Sequence, residues 1–124
     1  MDNPEHFEIV EDHAESRLRG RVTLEEGVQA VSNAIAFACT QQVSKLLVDI
    51  TGLYGFPSPG IGSRYFLVRE WARVAGGRLS LVIVSPPDLI DHEKIGVLMA
   101  KNAGLHCNIF ASEEEALEWL KTDC

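Results

Sequence analysis

Residues 45–62, KLLVDITGLYGFPSPGIG, decide the fold that this sequence predicts. Positions 46–48 are consecutive apolar residues, which is typical of a strand covered on both faces of a sheet. Glycine and proline residues from 52 to 59 then break regular structure. A helical pattern follows over about 60–75, so this stretch predicts a strand, a loop and a helix in succession.

The downstream sequence repeats this alternation. The glycine pair at 76–77 is expected to end the helix, because glycine is favoured at helix C-termini. The stretch 79–84, which is apolar except for Ser80, predicts another buried strand. Weaker patterns predict a helix over about 88–103 and a final strand at 107–110.

The start of the chain predicts an antiparallel hairpin. Residues 7–9 and 17–22 alternate between apolar and polar side chains, and the polar residues 11–15 between them indicate a turn. Capping-box patterns at 23–26 and 112–115 predict the first residues of two further helices.

The predicted element order is therefore β-β-α-β-α-β-α-β-α. Alternating strands and helices favour an α/β fold, here a single-layer, mostly parallel five-stranded sheet with four helices. The length of 124 residues suits a single domain over 1–124. Ligands of such sheets usually bind beyond the C-terminal ends of the strands, which directs attention to residues 49–62.

Composition narrows the classes of function. The net charge of −7 argues against nucleic-acid binding, which needs dense positive charge. No apolar run approaches a membrane span, and the acidic start does not suit a signal peptide, so we expect a cytoplasmic protein. Cys39, Cys107 and Cys124 are odd in number and lack metal-site spacing, which favours reduced thiols and no cofactor.

The loop and its flanks resemble STAS domains, the SpoIIAA-like family of anti-sigma-factor antagonists. That family shows an apolar strand ending in Asp or Asn, a loop with an aromatic residue, and Asp-Ser-Ser-Gly-hydrophobic-Gly opening a helix. The matching run here is Val48-Asp49-Ile50-Thr51-Gly52, then Phe56, then Pro57-Ser58-Pro59-Gly60-Ile61-Gly62. The resemblance spans about residues 15–120 and implies a non-catalytic regulatory module that binds a protein partner.

Ser58 has two interpretations. The resemblance implies a phospho-acceptor at this position, although Pro57 and Pro59 replace the family's Asp and second Ser. From the residues alone, Ser followed by Pro favours an N-cap, because the hydroxyl accepts a helix amide and proline needs no partner for a missing N–H. A phosphate at the positive end of a helix would also be tolerated.

Acidic residues elsewhere suggest structural roles. Asp49 ends a buried strand, as a receiver-domain phospho-acceptor does, but the partner residues of a receiver are missing and a role in binding loop amides is favoured. Asp88, Asp91, His92 and Glu93 could suggest a metal site. Acids that open a helix explain them better, so no metal is expected. No nucleophile–base pair or phosphate-binding loop can be assembled, which predicts a protein that is not an enzyme.

The helix at 60–75 carries the candidate functional surface. Ile61, Tyr65, Val68, Ala72 and Ala75 form its predicted core stripe, which Leu67, Trp71 and Val74 widen. Phe66 falls on the polar side, followed by Arg69 and Arg73. An aromatic residue between arginines is common at protein-contact surfaces, although a lone exposed aromatic residue is also normal.

Two functions remain open at this point. The first is a regulatory module that binds a protein partner or forms a homodimer, with candidate residues Thr51, Tyr54, Phe56, Ser58, Ile61, Phe66, Arg69 and Arg73. The second is a carrier or sensor of a small apolar or lipid-like molecule, with candidate pocket residues Asp49, Tyr54, Phe56, Arg64 and Tyr65. An enclosed apolar cavity would favour the carrier, and a flat aromatic–arginine surface without a cavity would favour the partner module.

Overall fold

The computed structural model describes residues 7–90 and 94–122, and its strands form one sheet in their order along the chain. The strands are β1 (Phe7–Val10), β2 (His13–Arg21), β3 (Lys45–Tyr54), β4 (Ser80–Val84) and β5 (His106–Phe110). β1 runs antiparallel to β2, and every later pair is parallel. The predicted α/β fold with a mostly parallel five-stranded sheet is confirmed, and the extent of the domain, 1–124, stays a prediction.

Four α-helices in the described residues cover this sheet: α1 (Leu24–Thr40), α2 (Ile61–Ala75), α3 (Ile95–Asn102) and α4 (Glu113–Thr122). Strands β2 to β5 follow one another in one direction, so right-handed crossovers place α1, α2 and α3 on the same face. These three helices pack side by side, and α4 contacts β3, β4 and β5 in a second core. None of the helices in the described residues is long and apolar enough to cross a membrane.

The apolar run of β3 is buried on both faces, as predicted. Leu46 and Val48 belong to the larger core between the sheet and helices α1 to α3. Leu47 points the other way and packs with Ala116 and Leu120 of α4. Successive side chains of a strand alternate between faces, so a strand between two helical layers needs apolar residues at every position.

The predicted capping box at 23–26 forms completely, and the one at 112–115 forms the hydrogen bond from the amide to the capping hydroxyl. Thr23 Oγ1 accepts a hydrogen bond from the Glu26 amide at 3.1 Å, and the Glu26 carboxylate accepts one from the Thr23 amide at 2.8 Å. At the start of α4, Ser112 Oγ accepts from the Glu115 amide at 3.2 Å and donates to the Glu115 carboxylate at 3.0 Å.

β2 begins at His13, four residues before the predicted start, and the turn is limited to Glu11 and Asp12. The prediction of a turn over 11–15 was wrong because polar residues here pair in the sheet. His13, Glu15 and Ser16 are buried, and they lie opposite β1 in an antiparallel register.

β3 continues to Tyr54, so Asp49 and Thr51 belong to a strand and not to the predicted loop. Its register against β2 pairs Arg17 with Asp49 and Arg19 with Gly52, which leaves one extra residue on β3. The extra residue forms a β-bulge, and β3 stays paired with β2 on both sides of it. A Cβ atom at Gly52 would lie only 3.0 Å from the carbonyl oxygen of Leu18, so the close approach requires glycine.

The helix predicted over 88–103 is shorter. A 3₁₀ turn occupies Pro87–Leu89, and α3 begins only at Ile95. Ile90 has extended backbone angles and Lys94 a left-handed conformation with φ of 50°, so neither residue can continue an α-helix. Residues 91–93 lie outside the described part of the chain.

Candidate functional site

Asp49 binds its own strand. Its Oδ1 atom accepts hydrogen bonds from the Thr51 amide at 2.9 Å and from the Thr51 hydroxyl at 2.6 Å. Asp49 lies two residues after Leu47 and so on the same face of the sheet, which α4 covers. The charge of Asp49 helps to raise the pKa of Arg17 on this face. The favoured interpretation of Asp49 as a residue that binds backbone amides agrees with this geometry.

Helix α2 occupies the predicted range of about 60–75, but its cap differs from the one that the sequence predicts. Its N-cap is Gly60 and no side chain caps it, so the interpretation of Ser58 as the N-cap was wrong. Glycine is costly inside a helix and is accepted at the cap. Pro59 also favours extended backbone angles for the residue before it, which keeps Ser58 out of the helix.

Arg64 ties the loop before α2 to its surroundings. Its Nε atom donates to the carbonyl oxygen of Pro59 at 2.9 Å. Its Nη2 atom lies 3.4 Å from both Ser58 Oγ and the carbonyl oxygen of Leu89. Ser58 itself is exposed, so it remains accessible for modification, and a phosphate there would lie beside the guanidinium group.

An apolar cavity of about 130 Å³ lies between the sheet and helices α1, α2 and α3, partly open to solvent. Strands β3, β4 and β5 contribute lining residues such as Ile50, Ile83 and Ile109. Of the five predicted pocket residues, the structure brings Phe56 and Arg64 to this cavity. Asp49, Tyr54 and Tyr65 are not in its lining.

The sequence did not identify the other side chains that line this cavity. They include Leu24, Val28, Val31, Leu53, Leu67, Val68, Trp71, Ser85, Leu89 and Val97. They come from five different elements or loops, so no local pattern marks them as a set. The run of small and β-branched residues in α1, with Gly27 also in the lining, is the one signal that could have indicated free space beside the sheet.

The polar groups at this cavity are satisfied within the protein. Trp71 Nε1 donates to the carbonyl oxygen of Val28 at 3.2 Å, which ties α2 to α1. Ser85 is fully buried, and its hydroxyl donates to the carbonyl oxygen of Pro86 at 3.0 Å. Cys107 keeps some accessible surface at the cavity, yet burial among apolar groups raises the pKa of its thiol to about 12.

An exposed aromatic surface covers the first half of α2. Phe66 is 75% exposed, Ile61 65% and Tyr65 47%. The rings of Tyr65 and Phe66 meet edge to face at 6.0 Å, and the Arg69 guanidinium lies 5.4 Å from the centre of the Tyr65 ring. These four residues, Ile61, Tyr65, Phe66 and Arg69, are called the α2 surface below.

The predicted core stripe of α2 was wrong at its first two positions. Ile61 and Tyr65 are exposed, and the buried residues of the helix are Val68, Trp71 and Ala75. Helical periodicity gives the direction of a side chain around the axis but not what lies opposite it. Phe66 is exposed as predicted.

The remaining candidate residues lie apart from this group. Arg73 is exposed one turn further on and forms an ion pair with Glu70, which raises the pKa of Arg73 and lowers that of Glu70. Tyr54 is 60% exposed at the end of β3, and Thr51 is engaged with Asp49. Their role in partner binding stays a prediction.

Sequence reasoning missed a charged network on the other face of the sheet. The buried carboxylate of Glu15 accepts from Arg17 Nη2 at 2.7 Å and lies 2.8 Å from His13 Nε2. Arg17 Nη2 also donates to Glu113 Oε1 of α4 at 2.5 Å. Polar residues alternating with Ala14 and Ser16 were the signal, but the partner in α4 is distant in sequence.

Metal ligation has no support in residues 7–90 and 94–122, where no cluster of three or more His, Cys, Asp or Glu side chains occurs. Of the residues weighed as ligands, Asp91, His92 and Glu93 lie outside the described part, as does Cys124.

Comparison with solved structures finds chains of similar fold. No family model matches the chain, and no curated protein matches its sequence. The chain is similar to the structure of the anti-sigma factor antagonist SpoIIAA in its unphosphorylated form, with 22% sequence identity and a TM-score of 0.48. The similarity covers 94% of this chain and 97% of that chain.

Proposed function

We propose that this chain is a non-catalytic binding module that acts through protein–protein interaction at the α2 surface. The observation that carries the proposal is the exposure of Ile61, Tyr65 and Phe66 together on adjacent turns of one helix. Aromatic residues and arginine are enriched where protein partners bind, because they combine a large apolar area with specific polar contacts.

The charges beside these residues indicate the chemistry of the partner. Arg69 stacks on Tyr65, which places a positive charge among the exposed aromatic rings in a chain whose net charge is −7. A positive charge among aromatic side chains fits a partner with an apolar groove bordered by acidic residues. A homodimer, the absence of nucleic-acid binding and the cytoplasmic location stay predictions.

The polar groups of the cavity support a role without catalysis. Trp71 Nε1, the Ser85 hydroxyl and Arg64 Nε each donate to a backbone carbonyl group. The Cys107 thiol is held in its neutral, poorly nucleophilic form by burial, which raises its pKa to about 12.

The test is quantitative capture of partners by the immobilised chain from a lysate of its source organism. Phe66→Ala should lose the captured partner while its melting temperature stays within about 2 °C of the parent, because Phe66 is 75% exposed. Leu98→Ala is the matched control, since Leu98 is 59% exposed on the neighbouring helix α3. Equal capture by the parent and Phe66→Ala would remove the α2 surface from the proposal.

The cavity favours a second candidate function, a carrier or sensor of a small apolar molecule. Its lining is almost entirely apolar, and it lies at the carboxyl ends of β3 and β4, where parallel sheets usually bind ligands. The test is mass spectrometry of small molecules extracted from the purified chain. The same extraction from a variant with a filled cavity, Val97→Phe, should recover less of the ligand, since Val97 belongs to the lining.

A further inference from the structure

The size and polarity of the cavity restrict what it can hold. We propose that it binds a neutral apolar molecule with the dimensions of a single six-membered ring. This inference rests on the second candidate function, which leaves the class of ligand open.

Volume sets the upper limit. The cavity measures about 130 Å³. An engineered apolar cavity of about 150 Å³ binds benzene, whereas sites for drug-sized ligands enclose about 300–1,000 Å³. A molecule of ring size therefore fills the space. A long acyl chain would leave most of its length in solvent, and that exposed part would gain no free energy from the burial of apolar surface.

The lining selects against charge. Arg64 Nε donates to the Pro59 carbonyl at 2.9 Å, and Nη2 lies 3.4 Å from both Ser58 Oγ and the Leu89 carbonyl, so these donors are directed to the loops beside the cavity. Lys94 directs its ammonium group to Asn108 Oδ1 at 3.0 Å and over the Phe110 ring at 4.3 Å. An ionised ligand would lose its hydration without gaining a partner, which costs several kcal/mol in proteins.

The same lining selects against water as the permanent occupant. The hydroxyl of Ser85 and the indole N–H of Trp71, which border the cavity, already donate to the protein. A well-ordered water needs two to four polar partners, and this lining offers few that the protein does not already use. An empty cavity leaves its lining without contacts on one side, so an apolar ring restores dispersion attraction that no water can supply.

The two tryptophans of the chain provide a built-in comparison. Trp71 lines the cavity, whereas Trp119 stacks on His106 at 5.1 Å under the opposite face of the sheet. Titration of the ¹⁵N-labelled chain with toluene should shift the indole N–H signal of Trp71 to saturation and leave that of Trp119 in place. Sodium benzoate, which has the same ring with a charge, should bind at least about a hundredfold more weakly. Sodium dodecanoate, a long chain, should not saturate the Trp71 signal.

Variants locate the binding. Val97→Phe fills the cavity from α3, and Leu98→Phe adds the same ring at the next, exposed position. Toluene binding should fall at least about tenfold in Val97→Phe and stay unchanged in Leu98→Phe. If Val97→Phe fails to fold, Gly27→Ala replaces it. A methyl group at Gly27 meets Val22 Cγ2 at 3.6 Å and Leu53 Cδ1 at 3.9 Å, which are ordinary contacts, and Gly27 also lines the cavity.

The outcomes separate the inference from the function on which it rests. If dodecanoate or benzoate binds as tightly as toluene, and this binding is lost in Val97→Phe, the proposal of a neutral, ring-sized ligand is overturned. The carrier function is then kept. Absence of a Trp71 shift with all three probes would overturn both. Toluene binding that Val97→Phe and Gly27→Ala leave unchanged would show that the cavity is not the site.

Discussion

The guanidinium group of Arg17 on β2 donates to Glu113 Oε1 on α4 at 2.5 Å, joining two residues that lie 96 positions apart. Arg17 also donates to the buried carboxylate of Glu15 at 2.7 Å. Burial alone would lower the pKa of Arg17, but the hydrogen bond to Glu113 and the charges of Glu113, Glu15 and Asp49 raise it. The network therefore fixes α4 on the sheet and gives the buried carboxylate of Glu15 a guanidinium partner.

Replacing Arg17 should destabilise the fold, because Arg17→Leu leaves Glu15 buried without its guanidinium partner. We expect the free energy of unfolding to fall by about 2–3 kcal/mol, below the ~3–5 kcal/mol of a fully buried pair because Arg17 is partly solvated. Urea unfolding measures this difference. Arg19→Leu, at an exposed position of the same strand, should change the free energy of unfolding by less than about 0.5 kcal/mol. Equal effects of the two variants would contradict the network.

The Arg17 network also shows where prediction from sequence ended. The apolar runs of β3 and β4 and the Thr23 capping box predicted the element order, because burial and capping leave local patterns. The start of β2 was missed since His13 and Glu15 look like turn residues until their partners are known. These residues pair with β1, and Arg17 joins them to α4. Both partners are brought to β2 by tertiary packing, which a local sequence pattern does not reveal.

The candidate site was predicted in part for the same reason. Phe66 was expected to be exposed and is, since its place on the polar side of α2 follows from periodicity. The cavity was not located, because its lining comes from α1, α2, α3 and three strands together. Ser58 was misplaced as a cap because Ser followed by Pro is typical of a helix start, whereas the N-cap of α2 is Gly60.

Alkaline pH should destabilise the fold through Cys107, whose pKa burial raises to about 12. Below the pKa of an unfolded cysteine, about 8.5, both states hold the proton and pH has no effect through this group. Above it the unfolded chain loses the proton first, so the free energy of unfolding falls by up to about 1.4 kcal/mol per pH unit. Urea unfolding at pH 8 and 9.5 should show this loss in the parent and in Cys39→Ala. A loss of the same size in Cys107→Ala would contradict it.

The turn after β3 should require glycine at one position and tolerate alanine nearby. Gly55 has φ of 98°, and a Cβ atom there would lie 2.8 Å from Arg21 Cγ and 3.2 Å from the carbonyl oxygen of Val22. Gly55→Ala should lower the free energy of unfolding by about 2–3 kcal/mol through strain and contact. Gly62→Ala meets nothing within 4 Å and should raise it by about 0.5 kcal/mol. Thermal and urea unfolding compare the two, and a stable Gly55→Ala variant would refute the left-handed turn.

The role of Ser58 can be separated from that of a helix cap. Because α2 is capped at Gly60 and Ser58 is exposed, Ser58→Ala should change the free energy of unfolding by less than about 0.5 kcal/mol and leave partner capture intact. Arg64 Nη2 lies 3.4 Å from the Ser58 hydroxyl, so Ser58→Asp places a carboxylate beside this guanidinium group. The variant should weaken partner capture if Ser58 is a phosphorylation switch. Ser63→Asp, an exposed position in the first turn of α2, controls for added negative charge at the same helix end. Capture by Ser58→Asp equal to that of the parent, in an assay where Phe66→Ala fails, would leave Ser58 without a regulatory role.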